Sequence, residues 1–157
     1  MSDFVKRYGG VYEHSPWVAE QAEPLVAGST AIEVIARVMA DCVDNASEER
    51  QLALIRAHPD LAGKAQVAGE LTVDSTTEQS SAGLDRCSPA EYQRFQDLNQ
   101  AYHARFGFPF VMAVRNSTRA QILEAFEARL GNDRDVEFET ALAEIHAIAR
   151  LRLEAMQ

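Results

Sequence analysis

Apolar residues recur along most of the chain at intervals of three and four, and that period predicts helices rather than half-buried strands. Asp3 to Tyr8 reads as an opening turn or helix closed by Gly9-Gly10. Ser15 followed by Pro16 predicts a helix start carrying Trp17, Val18 and Ala22 until Pro24 interferes. Thr30-x-x-Glu33 has the form of a capping box ahead of an apolar face of Ile32, Ile35, Met39 and Val43. Ser47 is expected to cap a helix through Leu52, Ile55 and Arg56. Pro59 lacks an amide hydrogen and disfavours helical backbone before it, so that helix stops at about His58.

From Asp60 to Asp74 the pattern weakens around Gly63 and Gly69, as in a short helical turn and a surface loop. Ser75-x-x-Glu78 then reads as a second capping box, opening a helix that ends near Gly83. Ser88-Pro89-Ala90-Glu91 joins a cap, a first-turn proline and a reciprocal glutamate, and its helix buries Phe95, Leu98 and Tyr102 before Gly107 stops it. Phe108 to Val114 is a continuous apolar run broken by Pro109, compatible with a buried helix start, a short strand or extended chain. If extended, its main-chain groups are available to a ligand, since no sheet partner is evident. Asn116 or Ser117 opens a helix with Ile122, Leu123 and Phe126 that ends at Leu130-Gly131, with glycine as a left-handed stop. The last helix starts near Asp133 to Asp135 and lines up Phe138, Leu142, Ile145 and Ala149. Together these predict an all-α fold of about seven to nine helices with no substantial sheet.

Composition narrows the class. A chain of 157 residues suits one compact domain, expected over 1–157, with no need of metal or disulfide staples. A formal net charge of -9 argues against a nucleic-acid partner, although one local arginine can still receive a small anion. Cys42 and Cys87 are too few for a disulfide framework and fit a reducing compartment, so a cytoplasmic location is expected. No signal-peptide core and no membrane-spanning stretch is evident, and no membrane partner is expected.

The stretch from His58 to Arg115 gathers the residues whose chemistry is hardest to explain as packing. An imidazole at a helix exit can act as a general acid at neutral pH, or it can cap the last carbonyls of its helix. Glu78 can serve the cap, orient an imidazole or hold ligand N–H groups. A metal would have to join His58, Asp60 and Glu78, but no His-x-x-x-His or Glu-x-x-His pair supports one, so no metal is expected. His14, His103, His146 and Tyr102 read as structural or surface residues, and Trp17 as a core or rim aromatic. On these residues alone the chain is an all-α enzyme, or a ligand-binding or protein-interaction module without catalysis.

Several ordered motifs go further: Gly10-Val11-Tyr12-Glu13-His14-Ser15-Pro16-Trp17-Val18-Ala19-Glu20, His58-Pro59-Asp60-Leu61-Ala62, Ser75-x-x-Glu78-Gln79, Ser81-Ala82-Gly83-Leu84-Asp85, and Leu98-Asn99-x-Ala101-Tyr102-x-x-Arg105-Phe106-Gly107-Phe108-Pro109-Phe110. In these the chain resembles the 2-oxo-4-hydroxy-4-carboxy-5-ureidoimidazoline (OHCU) decarboxylases, which complete the conversion of urate to (S)-allantoin. The resemblance implies an all-α enzyme, a small ureidoimidazoline substrate, no metal or organic cofactor, and a homodimer. It makes His58 the proton donor and Glu78 the catalytic glutamate. It places substrate contacts at Pro59, at Ser75, Thr76, Thr77, Glu78 and Gln79, and along the Phe110, Val111, Met112, Ala113 and Val114 backbone. Arg115 stands where the family tends to carry an arginine, and reads either as a carboxylate clamp or as a structural residue.

Overall fold

The computed structural model describes the backbone of all 157 residues and the side chains of all but Gln66 and Val67. The fold is all-α, as the period predicts. The helices are α1 (Asp3–Tyr8), α2 (Trp17–Val26), α3 (Ile32–Asp44), α4 (Glu48–Arg56), α5 (Lys64–Ala68), α6 (Val73–Ser81), α7 (Pro89–Phe106), α8 (Arg119–Leu130) and α9 (Arg134–Ala155), with a 3-10 turn at Leu84–Arg86. No strand occurs among the described residues. The chain divides into two compact units, Met1–His58 with Ile145–Gln157, and Pro59–Glu144, so α9 contributes to both.

In the first unit α1 to α4 bury one face each, and Val18, Ile35, Met39, Val43, Leu54 and Ile55 are almost completely enclosed. Ser47 caps α4 as expected, accepting from the Arg50 amide at 3.2 Å. Two starts differ from expectation. Ser15 does not cap α2; its hydroxyl donates to the Glu13 carbonyl at 2.9 Å, and Pro16 occupies the N-cap position. Nor does Pro24 end α2, which continues to Val26. The carbonyl that Pro24 leaves without its usual donor belongs to Glu20, an exposed residue where water can replace the lost bond. The Thr30 box also fails, because α3 begins at Ile32 behind an extended Ala31, one residue out of register for Thr30 and Glu33 to reciprocate.

In the second unit the Ser88–Glu91 capping box forms as predicted, and Gly107 ends α7 with φ 77°, a conformation open to glycine without cost. The core is aromatic. The Tyr102 ring meets Phe106, Phe108, Phe110 and Phe126 at centroid distances of 4.5, 5.9, 5.5 and 5.8 Å, and Phe110 stacks on Phe126 at 3.9 Å. Phe108 lies in a bend, and Pro109 to Val114 form neither helix nor strand, so the run is neither the helix start nor the paired strand its pattern allowed. Two helix starts and one stop's conformation differ from expectation. Thr72, not Ser75, caps α6, its hydroxyl accepting from the Ser75 amide at 3.2 Å, so the Ser75-x-x-Glu78 box does not form. The earlier cap adds helical residues, each completing a backbone bond once the helix is nucleated. Thr118 with Gln121, not Asn116 or Ser117, makes the box that opens α8. Gly131 ends α8 with φ -84°, so it is not a left-handed stop.

Candidate active site

His58 ends the first unit, one residue beyond the Ala57 cap of α4, and is only 7% exposed. Its backbone amide still reaches the Ile55 carbonyl at 3.1 Å, and its Nδ1 lies 2.9 Å from the Leu54 carbonyl oxygen. A carbonyl can only accept, so Nδ1 carries the hydrogen, and in the neutral ring Nε2 keeps the lone pair. The imidazole therefore does cap its helix, with one nitrogen, while the other stays available for chemistry. Burial lowers its pKa from 6.5 to about 4; the Leu54 bond and the Glu13 charge oppose that shift, while Arg152 and His14 add to it. Near neutral pH the ring is uncharged, so Nε2 must first accept a proton before it can donate one.

Two buried charges stand within electrostatic reach of His58 that the motifs did not single out for chemistry. Glu13 is 2% and Arg152 6% exposed, and their Oε1 and Nη1 atoms lie 3.5 Å apart. Arg152 Nη1 also donates to the Val11 carbonyl at 3.3 Å and the Gly10 carbonyl at 3.4 Å. Desolvated charges persist when paired and hydrogen-bonded in this way. A signal existed in the sequence: the stripe Phe138, Leu142, Ile145 and Ala149 continues to Arg152 at helical spacing, so a cation occupies a core position. The same Gly10–Ser15 segment is held again at Tyr12, whose hydroxyl lies 2.7 Å from His146 Nδ1, while His146 Nε2 meets Asp44 at 2.9 Å. Tyr12 and His146 are thus structural, in line with the expectation for His146.

Pro59 opens the second unit, and the loop behind it is held by side chains. Gln79 Nε2 donates to the Asp60 carbonyl at 3.1 Å while its Oε1 accepts from the Ala62 amide at 2.9 Å. From α7, Asn99 donates to the Leu61 carbonyl at 3.0 Å, Gln96 to the Ala62 carbonyl at 2.8 Å, and His103 Nε2 meets the Asp60 carboxylate at 2.7 Å. Gln79 is therefore a loop clamp first, with one lone pair and one N–H to spare. Of its neighbours on α6, Ser75 is buried, Glu78 half-buried, and Thr76 and Thr77 exposed. The end of α6 is fastened at Gly83, where Arg119 donates to the carbonyl at 3.0 Å and to Glu91 at 3.0 Å. A Cβ on Gly83 would meet Arg119 Nη1 at 2.6 Å.

The segment from Phe108 to Val114 is held at two main-chain groups. Arg129 Nη1 donates to the Val111 carbonyl at 2.7 Å with its guanidinium 4.3 Å from the Phe110 ring centroid, and Glu144 accepts from the Ala113 amide at 3.2 Å. Arg115 is exposed in the turn that follows. Among the described residues no group of three or more His, Cys, Asp or Glu side chains is arranged to hold a metal ion, so His58, Asp60 and Glu78 do not form one.

Comparison with known proteins adds what geometry alone does not. The family model for OHCU decarboxylase matches residues 1–154. The chain is 46% identical over 156 residues to the 2-oxo-4-hydroxy-4-carboxy-5-ureidoimidazoline decarboxylase of Halalkalicoccus jeotgali, covering 98% of this chain and 84% of that one. It is similar to the crystal structure of (S)-allantoin synthase, with a TM-score of 0.76 and 34% identity over 97% of this chain and 49% of that one. It is also similar to that of OHCU decarboxylase in the presence of (S)-allantoin, with a TM-score of 0.72 and 25% identity over 92% and 93% of the two chains. With a family match across nearly its whole length and a relative this similar at near-full coverage, the chain belongs to the OHCU decarboxylase family.

Proposed function

We propose that the chain decarboxylates 2-oxo-4-hydroxy-4-carboxy-5-ureidoimidazoline to (S)-allantoin in urate degradation, a carboxy-lyase reaction that needs no cofactor. Membership of the family supports the reaction, and the observation that carries the mechanism is the buried His58, whose Nδ1 is held by Leu54 and whose Nε2 is left as a base. The substrate places a carboxylate and a hydroxyl on one carbon beside a C=N bond. As the carbon–carboxylate bond breaks, its electron pair forms a bond to the neighbouring carbon and the C=N pair moves onto nitrogen, so the substrate supplies its own electron sink. Carbon dioxide leaves, and an enol-like intermediate remains.

The protein's share is position, exclusion of water and one directed proton. In this reading Nε2 of His58 takes the hydroxyl proton as the carboxylate departs. The resulting imidazolium returns a proton to one face of the neighbouring carbon, while the sink nitrogen takes its proton from solvent. A carboxylate arriving beside the ring favours the imidazolium, offsetting the burial that disfavours it. Glu78 holds ureido or ring N–H groups, and Pro59, Ser75, Thr76, Thr77, Gln79 and the Phe110–Val114 backbone supply the remaining substrate contacts. Arg115 is exposed, whereas the buried Arg152 lies in the field of His58, so Arg152 is the better-supported cation for the substrate's charge.

We also propose that residues 1–157 act as one domain, that the protein is a homodimer, and that it works in the cytoplasm. The first is supported by the single family match, the second by family resemblance, and the third by two unpaired cysteines. No helix among the described residues is long and apolar enough to cross a membrane. The deciding assay supplies freshly generated urate-oxidation product and follows circular dichroism. Formation of (S)-allantoin faster than spontaneous racemic decay is expected; ligand binding with no acceleration would leave a binding module in its place.

A further inference from the structure

We propose that Arg129 and Glu144 are positioning residues: they take the Val111 carbonyl and the Ala113 amide on one edge of Phe110–Val114 and so leave Met112, between them, as the residue whose main-chain N–H and C=O are both open to ligand recognition. This deepens the reading above and rests on it, since it requires that the segment contacts substrate. In extended chain the N–H and C=O of one residue point to the same edge and those of the next residue to the other. Residues 110–114 are free of helix, turn and bend, and none has positive φ.

The bonds made by the segment obey that alternation. Val111 C=O is taken by Arg129 of α8 and Ala113 N–H by Glu144 of α9, so each neighbour of Met112 has one main-chain group already used on the edge of residues 111 and 113. Arg129 cannot swing away easily. Its Nε is paired at 2.8 Å with Glu137, which is 0% exposed and also accepts from Tyr102 at 2.6 Å and Asn132 at 2.9 Å. On the other edge Val114 C=O is used by the Ser117 amide at 3.0 Å. Among the described residues neither main-chain group of Met112 has a protein partner. Its flanking residues on that edge, Phe110 and Val114, are 1% and 4% exposed, whereas Met112 is half-buried. An adjacent donor and acceptor suit the paired N–H and C=O of a cyclic urea, the chemistry at one end of the substrate and of allantoin.

The test is amide NMR on the full chain with (S)-allantoin as the probe, together with steady-state kinetics. At saturating allantoin the Met112 amide should shift and exchange more slowly, while the Ala113 amide keeps the protection it has without ligand. Shifts at Val111 or Ala113 with Met112 untouched overturn the positioning proposal and leave the segment's contact with substrate standing. No movement anywhere from Phe110 to Val114 overturns that contact, and the proposal with it. Glu144→Ala should raise KM roughly five- to tenfold, the worth of one misplaced main-chain hydrogen bond, with little change in kcat. Glu144→Gln, which keeps an acceptor for Ala113, should recover most of that loss. A Glu144→Ala variant with lower thermal stability but unchanged KM assigns Glu144 a structural role and ends the proposal for it. Arg129→Lys keeps a cation beside Glu137 and offers an internal check, since it should raise KM in the same direction.

Discussion

Nδ1 of His58 lies 2.9 Å from the carbonyl oxygen of Leu54, one helical turn earlier, and this bond decides which ring nitrogen is free for chemistry. Glutamine at this position can still cap the carbonyl with its side-chain amide but cannot carry a proton at neutral pH. His58→Gln is therefore expected to keep its helical circular dichroism while kcat/KM falls by roughly 10²–10⁴. Stereospecific turnover close to that of the unmodified chain would remove His58 from the mechanism.

The same burial makes stability depend on pH. His58 is held neutral in the folded chain, with its pKa moved from 6.5 down to about 4. The unfolded chain therefore binds the extra proton first. The contribution is fully present above pH 6.5 and is lost as pH falls towards 4, by on the order of 3 kcal/mol at 1.36 kcal/mol per unit. Urea titrations at a series of pH values should show this slope, and His58→Gln should flatten it. An equal slope in both proteins would mean that other groups set the acid sensitivity.

Glu13 and Arg152 act on His58 in opposite senses, the carboxylate raising its pKa and the guanidinium lowering it. Glu13→Gln should thus depress the imidazole pKa further, and Arg152→Gln should raise it, as read by NMR titration of the ring. Each also strands a buried charge, so a loss of about 3–5 kcal/mol in unfolding free energy is expected beside the pKa change. Unmoved ring titration in both variants would separate the pair from His58 altogether.

Gln79 holds Asp60 and Ala62 by two bonds at 3.1 and 2.9 Å. Gln79→Ala leaves a buried amide and carbonyl to find water, a loss of about 1–3 kcal/mol. Faster hydrogen exchange at Ala62, with α6 still protected, is the expected signature. If Ala62 exchanges at its original rate, Gln79 is no clamp and its reading as a direct substrate contact becomes the stronger one.

Gly83 combines φ +77° with Arg119 packed where a Cβ would go. Alanine there should cost about 1–3 kcal/mol through backbone strain, plus displacement of the Arg119 bonds. A thermal melt of Gly83→Ala that matches the unmodified chain would show that Arg119 moves aside freely.

Much of the fold was readable because it is written locally. Helical period, the Ser47 cap and the Ser88–Glu91 box depend on residues a few positions apart, and the chain obeys them. The errors are local too. Thr72 and Ser75 each carry a hydroxyl three residues ahead of an amide, and only the completed helix decides between them. The exit of α4 before Pro59 was legible in the same way, from the missing amide and the strain it puts on His58.

What pattern could not reach lies in bonds that span long stretches of chain. Arg152 meets Glu13 across 139 residues, Glu144 reaches Ala113 across 31, and Gln79 holds Ala62 across 17. The sequence by itself determined the helices, the place where α4 must end and the family to which the chain belongs. Only the tertiary structure decided which nitrogen of His58 is occupied, which buried charges surround it and which main-chain groups of Phe110–Val114 are already taken. Periodicity and caps are energies of neighbouring residues, whereas desolvation and hydrogen-bond pairing are properties of whatever the folded chain packs against each group.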